Sequence, residues 1–260
     1  MSNVRIHPKN LSGTVEIPPS KSYLHRAIIC GALSGNPIKI SPVIYSDDII
    51  ATINAMKFLG ADIDIFENSI KINGFTPSKN IVKINCLDSG STLRFLIPLV
   101  SALGIQTTFL LGESLAKRPI LPYLKALSNN GLKFEFNGDF ELIISGKLKP
   151  GKFFIPGKIS SQFVSGLMMA LPILQSDSEI ILTSDLESCS YVDITIDVMK
   201  KFGVNVTMSN QNYYISCRQK YISRDFFVEG DWSQAALFLV AGAIGGNISV
   251  KNLKNDSVQG

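Results

Sequence analysis

Residues 18–26 combine two prolines, a Ser-Lys-Ser triplet and an arginine. The stretch joins an apolar run at 13–17, which predicts a strand, to a predicted helix at 20–33 that begins with serines able to cap it. The free N–H groups and the dipole of a helix start attract anions, and Lys21 and Arg26 add two full positive charges there. The pattern indicates a site for phosphate or carboxylate groups. A capped surface helix with solvated cations explains this single stretch equally well.

The same arrangement returns three more times along the chain. Ser22, Thr92, Ser161 and Ser233 each stand between a strand-like run and an apolar helix, at steps of 70, 69 and 72 residues (22 to 92, 92 to 161, 161 to 233). A second marker, a glycine that ends a helix before a strand, keeps the same phase. These glycines are Gly60, Gly131 and Gly203, which are 71 and 72 residues apart (60 to 131, 131 to 203). Two independent markers with one period predict a repeated structural unit.

The pattern within each unit predicts strands and helices in the order βαβαββ. In the first unit, a strand at 38–41 and a helix at 46–59 precede a hairpin of strands 62–66 and 69–72. The matching hairpins pair 134–136 with 142–144 and 204–206 with 213–215. Upstream of the first unit's helix, residues 4–17 predict two short strands around Pro8 and Gly13.

Three such units predict a mixed α/β (α+β) domain with quasi-threefold symmetry over residues 18–227. A fourth unit begins near Phe226 and contributes a helix at 232–243 and a strand at 247–250. We expect the natural protein to be longer than this chain, because so apolar a fourth helix needs a partner surface.

Composition and charge exclude several classes of protein. The net charge is +4 with lysines spread along the chain, whereas nucleic-acid binding calls for a clustered basic face. The apolar runs are too short to span a bilayer, and the first residues lack a signal-peptide core. The cysteines are scattered and only two histidines are present, which gives neither metal-ligand spacing nor a serine–histidine–acid triad. We expect a cytoplasmic protein without a metal, whose cysteines are buried and reduced: Cys30, Cys86, Cys189 and Cys217.

If near-threefold symmetry relates the units, their helix starts meet at one end of the domain. That end then collects serines, threonines and four cations, namely Lys21, Arg26, Arg94 and Arg118. Bidentate arginine contacts and backbone N–H groups suit phosphate and carboxylate. The chain has neither the Gly-Lys-Ser/Thr loop of nucleotide hydrolases nor a dinucleotide-binding fingerprint. The expected chemistry is recognition of small anionic substrates.

Some other polar residues are interpreted as structural. His25 is expected to pack or to orient its neighbours, and Asp231 to cap the helix that begins at Trp232. Asp47 and Asp48 stand in the first turn of a helix, where acidic residues are favoured, although a catalytic role for them stays open.

Six motifs, in order, resemble those of the enolpyruvyl transferases. They lie at 19–26, 88–94, 117–120, 160–162, 191–195 and 229–231, and the resemblance covers the whole chain. It implies an inside-out α/β barrel of βαβαββ units, present in two domains that close over the ligands. Residues 18–227 would then form one complete domain, and residues 1–17 and 228–260 part of the second. The match is closest to members that move the enolpyruvyl group of phosphoenolpyruvate onto the 5-hydroxyl of shikimate 3-phosphate. These members work as monomers, without a cofactor or metal, through a tetrahedral intermediate.

The resemblance implies ligand roles residue by residue. The positions that match those around shikimate 3-phosphate are Lys21, Ser22, Arg26, Ser160, Ser161, Gln162 and Ser188. The positions that match those around phosphoenolpyruvate are Lys21, Gly90, Arg118 and Gln162. Lys21 belongs to both sets and is the expected residue for proton transfer. Glycine at position 90 also implies sensitivity to glyphosate, which occupies the phosphoenolpyruvate site in this family.

Two features depart from the family pattern. Asp88 stands where an asparagine is common, and its carboxylate is expected to weaken anion binding unless it caps a helix. The family's catalytic aspartate and its later phosphoenolpyruvate-binding cations fall beyond residue 260, so an inactive fragment of the enzyme is one alternative. The other alternative is the family member that acts on UDP-N-acetylglucosamine. That enzyme uses a cysteine just before its Arg-Pro pair, whereas residues 113–117 contain none.

Overall fold

The computed structural model describes residue 5 and residues 10–78, 81–217 and 219–259. The strands are β1 Ser12–Glu16, β2 Ile38–Ser41, β3 Ala61–Phe66, β4 Ser69–Phe75, β5 Val82–Asn85, β6 Thr107–Leu110, β7 Lys133–Asn137, β8 Glu141–Ser145, β9 Lys152–Ile155, β10 Ser178–Leu182, β11 Thr207–Ser209, β12 Asn212–Ile215, β13 Phe226–Phe227 and β14 Asn247–Lys251. The helices are α1 Lys21–Leu33, α2 Asp47–Leu59, α3 Gly90–Leu103, α4 Glu113–Ala116, α5 Leu121–Ser128, α6 Ser161–Ala170, α7 Ser190–Lys201 and α8 Trp232–Gly245, with a 3-10 turn at Leu171–Ile173. Gly13 lies within β1, and the strand expected around Pro8 falls outside the described residues.

Three four-stranded sheets share one strand order. The orders are β13-β2-β4-β3, β5-β6-β8-β7 and β9-β10-β12-β11. In each sheet the first two strands are parallel and the other two pairs are antiparallel. The repeated βαβαββ unit predicted from the spacing is confirmed.

The first sheet takes its first strand from the far end of the chain. Chain order places residues 13–17 there, but β13 holds the position, with Phe226 opposite Ile40 in parallel register. β1 pairs instead with β14 in a separate two-stranded sheet. The local sequence pattern does not show that β1 and β13 exchange places between the two sheets, because each of these strands precedes an apolar helix after a short turn.

The exchange makes the chain cross twice between the β1–β14 sheet and the first four-stranded sheet. The two crossings lie side by side, because Ser20 N donates to Glu229 O at 2.8 Å and Asp231 N donates to Pro18 O at 3.0 Å. The first crossing leads directly into α1, so its position fixes the start of that helix.

Helices fill the interior and the four-stranded sheets surround them. α3 is buried along nearly its whole length, as expected for a helix that is apolar on all sides. Strands such as β5 alternate between buried and exposed residues, so one face of the sheet meets the helices and the other meets solvent. Tyr123 of α5 stacks on Phe163 of α6 with ring centres 4.4 Å apart. This is the inside-out α/β arrangement that was expected.

One predicted strand is wrong. Residues 204–206 are irregular, and the hairpin of the third unit begins at β11, three residues later. The side chain of Gln219 holds the backbone of Asn205 from both sides, accepting from its N–H at 2.6 Å and donating to its carbonyl at 2.8 Å. These bonds replace the ladder that a strand would form, and the alternation in the sequence reflects the burial of Val204 in the core.

α8 differs from the interior helices because its apolar residues face solvent. Ala235 is the one buried residue of this helix, while Leu237 and Ile244 are 76% and 82% exposed. None of the helices in the described part of the chain has the length and apolar character needed to cross a bilayer.

Candidate anion-binding site

A cavity of about 350 Å³ lies at the N-terminal ends of α1, α3, α6 and α7. The predicted site residues that line it are Ser22, Arg26, Arg118, Ser160, Ser161, Gln162 and Ser188. The other lining residues are Ser91, Arg94, Ile159, Glu187 and Tyr191. The helix starts therefore meet at one end of the fold, as the repeat predicts.

Arg26 reaches this cavity from the interior and is only 2% exposed. Its Nε donates to Oγ1 of Thr195 at 2.6 Å, and its Nη2 donates to the carbonyl of Tyr191 at 2.9 Å. Burial lowers the pKa of the guanidinium from 12.5 to about 10, so it stays charged near neutral pH. No carboxylate of the described residues forms an ion pair with it.

Arg94 enters the cavity from α3 and is 9% exposed. Its Nη1 donates to Oε1 of Gln162 at 2.7 Å, and its Cζ lies 5.4 Å from the ring centre of Phe163. Its Nε is buried with no partner among the described residues. Burial, and then the positive charge of Arg118, lower the pKa of Arg94.

Gly90 lies behind the cavity lining, against both of these arginines. A β-carbon on Gly90 would be 3.2 Å from Nη1 of Arg118 and 3.5 Å from Nη1 of Arg94. Arg118 itself is exposed, and its Nη2 donates to Oγ of Ser114 at 3.3 Å. A guanidinium with one long side-chain bond remains available to a ligand.

Hydroxyl and amide groups complete the wall. Gln162 connects two helices, because its Nε2 donates to Oγ of Ser91 at 2.9 Å while its Oε1 accepts from Arg94. Ser188, just before α7, has a φ of 57°, in the left-handed region that residues other than glycine rarely adopt. Strained backbone of this kind is frequent at binding sites.

Lys21 is a predicted site residue that does not line the cavity, although its neighbour Ser22 does. Its Nζ lies 2.6 Å from Oδ2 of Asp48, and the two side chains are 48% and 31% exposed. An ion pair this exposed stabilises by only ~0–1 kcal/mol. A ligand phosphate can therefore compete with Asp48 for the ammonium group at little cost.

Comparison with known proteins identifies the family. A family model described as EPSP synthase (3-phosphoshikimate 1-carboxyvinyltransferase) matches residues 6–260. The chain belongs to the EPSP synthase family.

Curated relatives carry the name 3-phosphoshikimate 1-carboxyvinyltransferase. The one from Clostridioides difficile (strain 630) is 45% identical over 273 residues, and the one from Clostridium beijerinckii is 44% identical over 270 residues. Each match covers 100% of this chain and 62% of the relative, so the chain spans less than two thirds of their length. The solved EPSP synthase of Acinetobacter baumannii has the same fold, with a TM-score of 0.80 at 22% identity, over 96% of this chain and 57% of that one.

Asp88, where the chain departs from the EPSP synthase pattern, caps a helix. Oδ1 of Asp88 accepts from the N–H of Leu115 at 2.9 Å, so its carboxylate caps α4, whereas Ser89 caps α3. Asp231 caps α8 as predicted, accepting from the N–H groups of Ser233 at 2.9 Å and Gln234 at 3.2 Å.

The predicted serine cap of α1 is wrong in detail, and α2 begins in the same way. Ser20 and Ser46 hold the N-cap positions of α1 and α2, but neither side chain makes a capping hydrogen bond. Both hydroxyl oxygens are buried without a partner among the described residues.

The expectation of buried thiols holds for Cys30 and Cys86 and is wrong for two others. Cys189 is exposed and Cys217 is partly exposed. Cys189 is the N-cap residue of α7, beside Ser188 on the rim of the cavity, which explains its exposure.

His25 is buried, as its interpretation as a packing residue requires. Its Nδ1 lies 2.7 Å from Oγ1 of Thr52, and burial lowers its pKa to about 3, so the ring is neutral.

Among the described residues, no group of three or more His, Cys, Asp and Glu side chains lies together in a way that could hold a metal ion.

Sequence reasoning assigned no role to Thr195 and Ser165, the two buried hydroxyls behind Arg26, although Thr195 ends the motif at 191–195. A weak signal for both exists. Each is four residues after a residue that lines the cavity, Tyr191 or Ser161, and so lies on the same helix face.

Proposed function

We propose that this chain provides the shikimate 3-phosphate-binding wall of an enzyme of the shikimate pathway. The enzyme transfers the enolpyruvyl group of phosphoenolpyruvate to the 5-hydroxyl of shikimate 3-phosphate and releases phosphate. The relatives' shared name and the family match support this activity.

A single observation carries the proposal: three guanidinium groups border one small cavity and have no ion pair among the described residues. They belong to Arg26, Arg94 and Arg118, and the one carboxylate in the lining is that of Glu187. An anion in this cavity would offset the repulsion between Arg94 and Arg118 and would give Arg26 a partner of opposite charge. Of the described residues that line two larger cavities, each of about 570 Å³, none is an arginine.

The proposed ligand roles are those that the resemblance implies, and the lining of the cavity supports most of them. Shikimate 3-phosphate is assigned to Lys21, Ser22, Arg26, Ser160, Ser161, Gln162 and Ser188. Phosphoenolpyruvate is assigned to Lys21, Gly90, Arg118 and Gln162. The contact between Gly90 and Arg118 supports the second set, because a ligand held by Arg118 lies against a backbone that has no side chain.

The chain's own contribution to the chemistry is positioning and charge. Two anionic substrates repel each other, and fixed guanidinium groups offset that repulsion while holding the reacting atoms together. The 5-hydroxyl oxygen adds to the phosphate-bearing carbon of phosphoenolpyruvate and loses its proton, while the methylene carbon gains a proton and becomes a methyl group. Loss of a proton from that methyl group together with departure of phosphate then restores the double bond. Lys21 would move a proton once the ligand phosphate separates it from Asp48.

We also propose that residues 18–227 form one domain and that residues 1–17 and 228–260 belong to a second. The pairing of β13 with β2, and of β1 with β14, supports this division. The crossings at 17–20 and 228–231 would then connect the two domains. We expect the protein to be monomeric and cytoplasmic, as the family resemblance implies.

Calorimetric titration of the chain with shikimate 3-phosphate tests the proposal. Saturable binding is expected, with much weaker binding of shikimate, because shikimate lacks the phosphate that the arginines would hold. Ser161→Ala, in the cavity lining, should weaken binding about three- to tenfold through loss of one hydrogen bond. Ser101→Ala, a buried serine near the far end of α3, is the matched control and should change nothing. Equal affinity for shikimate and shikimate 3-phosphate, or no binding of either, would overturn the proposal.

A further inference from the structure

Arg26 is held by four hydrogen bonds behind the cavity. Besides the bonds to Thr195 and Tyr191, its Nη2 donates to Oγ of Ser165 at 3.2 Å and its Nη1 to the carbonyl of Ser22 at 2.8 Å. A guanidinium has five N–H groups, so these four bonds leave one, on Nη1, for a ligand in the cavity. The ring of Phe95, with its centre 4.9 Å from Cζ, covers the guanidinium on one side.

The acceptors of Arg26 are bonded to one another. Oγ1 of Thr195 lies 2.7 Å from Oγ of Ser165 and 2.9 Å from the carbonyl of Tyr191. A hydroxyl has a single proton, so Thr195 donates either to Oγ of Ser165 or to the carbonyl of Tyr191 at any one time. Both hydroxyl oxygens then keep lone pairs for the N–H groups of Arg26.

Packing alone does not account for these hydroxyls. Thr195 and Ser165 are both 0% exposed, at positions where valine or alanine would fill the same space. A buried hydroxyl is unfavourable unless it is hydrogen-bonded, and here the partner that both hydroxyls share is the guanidinium.

We propose that Thr195 and Ser165 are positioning residues for Arg26. They touch no ligand, and they orient the guanidinium so that its remaining N–H group faces an anion in the cavity. The arrangement also ties α1 to α6 and α7, so the three helix starts keep a fixed relation. This inference rests on the proposed function, since it takes the anion to be shikimate 3-phosphate.

The first test is titration of single variants with shikimate 3-phosphate. Thr195→Val keeps the shape of the side chain and removes the hydroxyl, and should weaken binding about tenfold or more. Thr195→Ser keeps the hydroxyl and should restore most of the affinity. Thr107→Val is the matched control. Thr107 is also 0% exposed, lies at the end of β6 away from the cavity, and among the described residues its hydroxyl bonds only to the carbonyl of Ile105. If Thr195→Val does not fold, Ser165→Ala takes its place.

The second test needs no ligand. The ¹⁵N–¹H signal of the Nε group of Arg26 should exchange slowly with solvent in the unaltered chain and in Thr195→Ser. In Thr195→Val it should exchange much faster, because its acceptor is gone. Unchanged protection in Thr195→Val would overturn the inference, and so would unchanged affinity for shikimate 3-phosphate. If the unaltered chain does not bind shikimate 3-phosphate, the proposed function fails, while the Arg26 signal still decides whether these hydroxyls position the guanidinium.

Discussion

The backbone of Gly90 lies against the guanidinium group of Arg118, with the position of a β-carbon on Gly90 only 3.2 Å from Nη1 of Arg118. A methyl group there must push the flexible end of the arginine aside. We therefore expect Gly90→Ala, in a full-length enzyme that carries this chain, to raise resistance to glyphosate and to weaken phosphoenolpyruvate binding. Steady-state inhibition assays measure both effects.

The fold should tolerate this change, because Gly90 begins α3 and alanine favours a helix. Gly245→Ala is a matched control, since a β-carbon at the last residue of α8 meets nothing within 4 Å. An unaltered full-length enzyme that is naturally insensitive to glyphosate would contradict the assignment of Gly90.

Arg118→Ala should weaken phosphoenolpyruvate binding far more than shikimate 3-phosphate binding in the full-length enzyme. A hydrogen bond to a charged group stabilises by ~1.5–3 kcal/mol, and among the described residues the exposed guanidinium of Arg118 has only Ser114 as a side-chain partner. Separate titrations with the two ligands measure the difference. Arg224→Ala is the matched control, because Arg224 is also exposed and follows Ser223, which contacts Ser34 at the far end of α1. Equal losses for both ligands would count against the role of Arg118.

The periodicity of the sequence predicted the repeated unit and the meeting of the helix starts. Local pattern suffices for this, because strands, turns and helix starts recur in phase through Ser22, Thr92 and Ser161. It does not suffice for the pairing of β13 with β2, since that contact joins residues almost two hundred positions apart. Which of two similar strands completes a sheet depends on the packing of the whole chain.

The candidate site was predictable in its residue types and not in its contacts. Seven of the nine residues assigned to ligands line one cavity, while Lys21 and Gly90 do not. The ion pair between Lys21 and Asp48 depends on how α1 packs against α2, which the sequence does not specify. The roles of Thr195 and Ser165 likewise depend on where Arg26 lies. In the sequence they resemble ordinary helix residues, and only the folded chain shows that both hydroxyls accept from the same guanidinium.

The stability of the chain should fall as the pH decreases below about 6.5, in part because of His25. Burial lowers its pKa from 6.5 to about 3 in the folded chain, so below pH 6.5 the unfolded chain binds a proton that the folded chain does not. The contribution of His25 to the free energy of unfolding is fully present above pH 6.5. It is lost progressively towards pH 3, by about 1.4 kcal/mol per pH unit. Urea unfolding between pH 6.5 and 5 measures the slope, before most carboxylates titrate. His25→Gln should reduce that slope, and an identical slope would refute the contribution of His25.

Cys189 should react with a thiol reagent much faster than Cys30 and Cys86. Cys189 is exposed, whereas burial raises the pKa of Cys30 to about 12 and also raises that of Cys86. Labelling followed by peptide mass analysis identifies the modified residue. Shikimate 3-phosphate should slow the labelling of Cys189, because the neighbouring Ser188 lines the cavity. Rapid labelling of Cys30 in the native state would show that the interior is less closed than described.

The 260-residue chain alone should release no measurable phosphate from shikimate 3-phosphate and phosphoenolpyruvate. Its cavity offers cations from one wall, and Arg118 is exposed to water, where an ion pair is worth only ~0–1 kcal/mol. The transfer also needs groups that exchange protons and a site closed to water, which the described cavity does not provide on its own. Since the chain spans 62% of its curated relatives, a separately produced polypeptide supplying the rest of the Clostridioides difficile relative should restore turnover if the two parts fold together.

α8 gives this last experiment an internal control. Its exposed Leu237 and Ile244 should make the isolated chain self-associate, and the added polypeptide should suppress that association if it covers them. Size-exclusion chromatography follows the association, and a phosphate-release assay follows the turnover. Substantial turnover by the isolated chain, with an intact mass that confirms 260 residues, would show that the cavity of this chain is sufficient for the reaction. It would refute the requirement for groups from the rest of the enzyme.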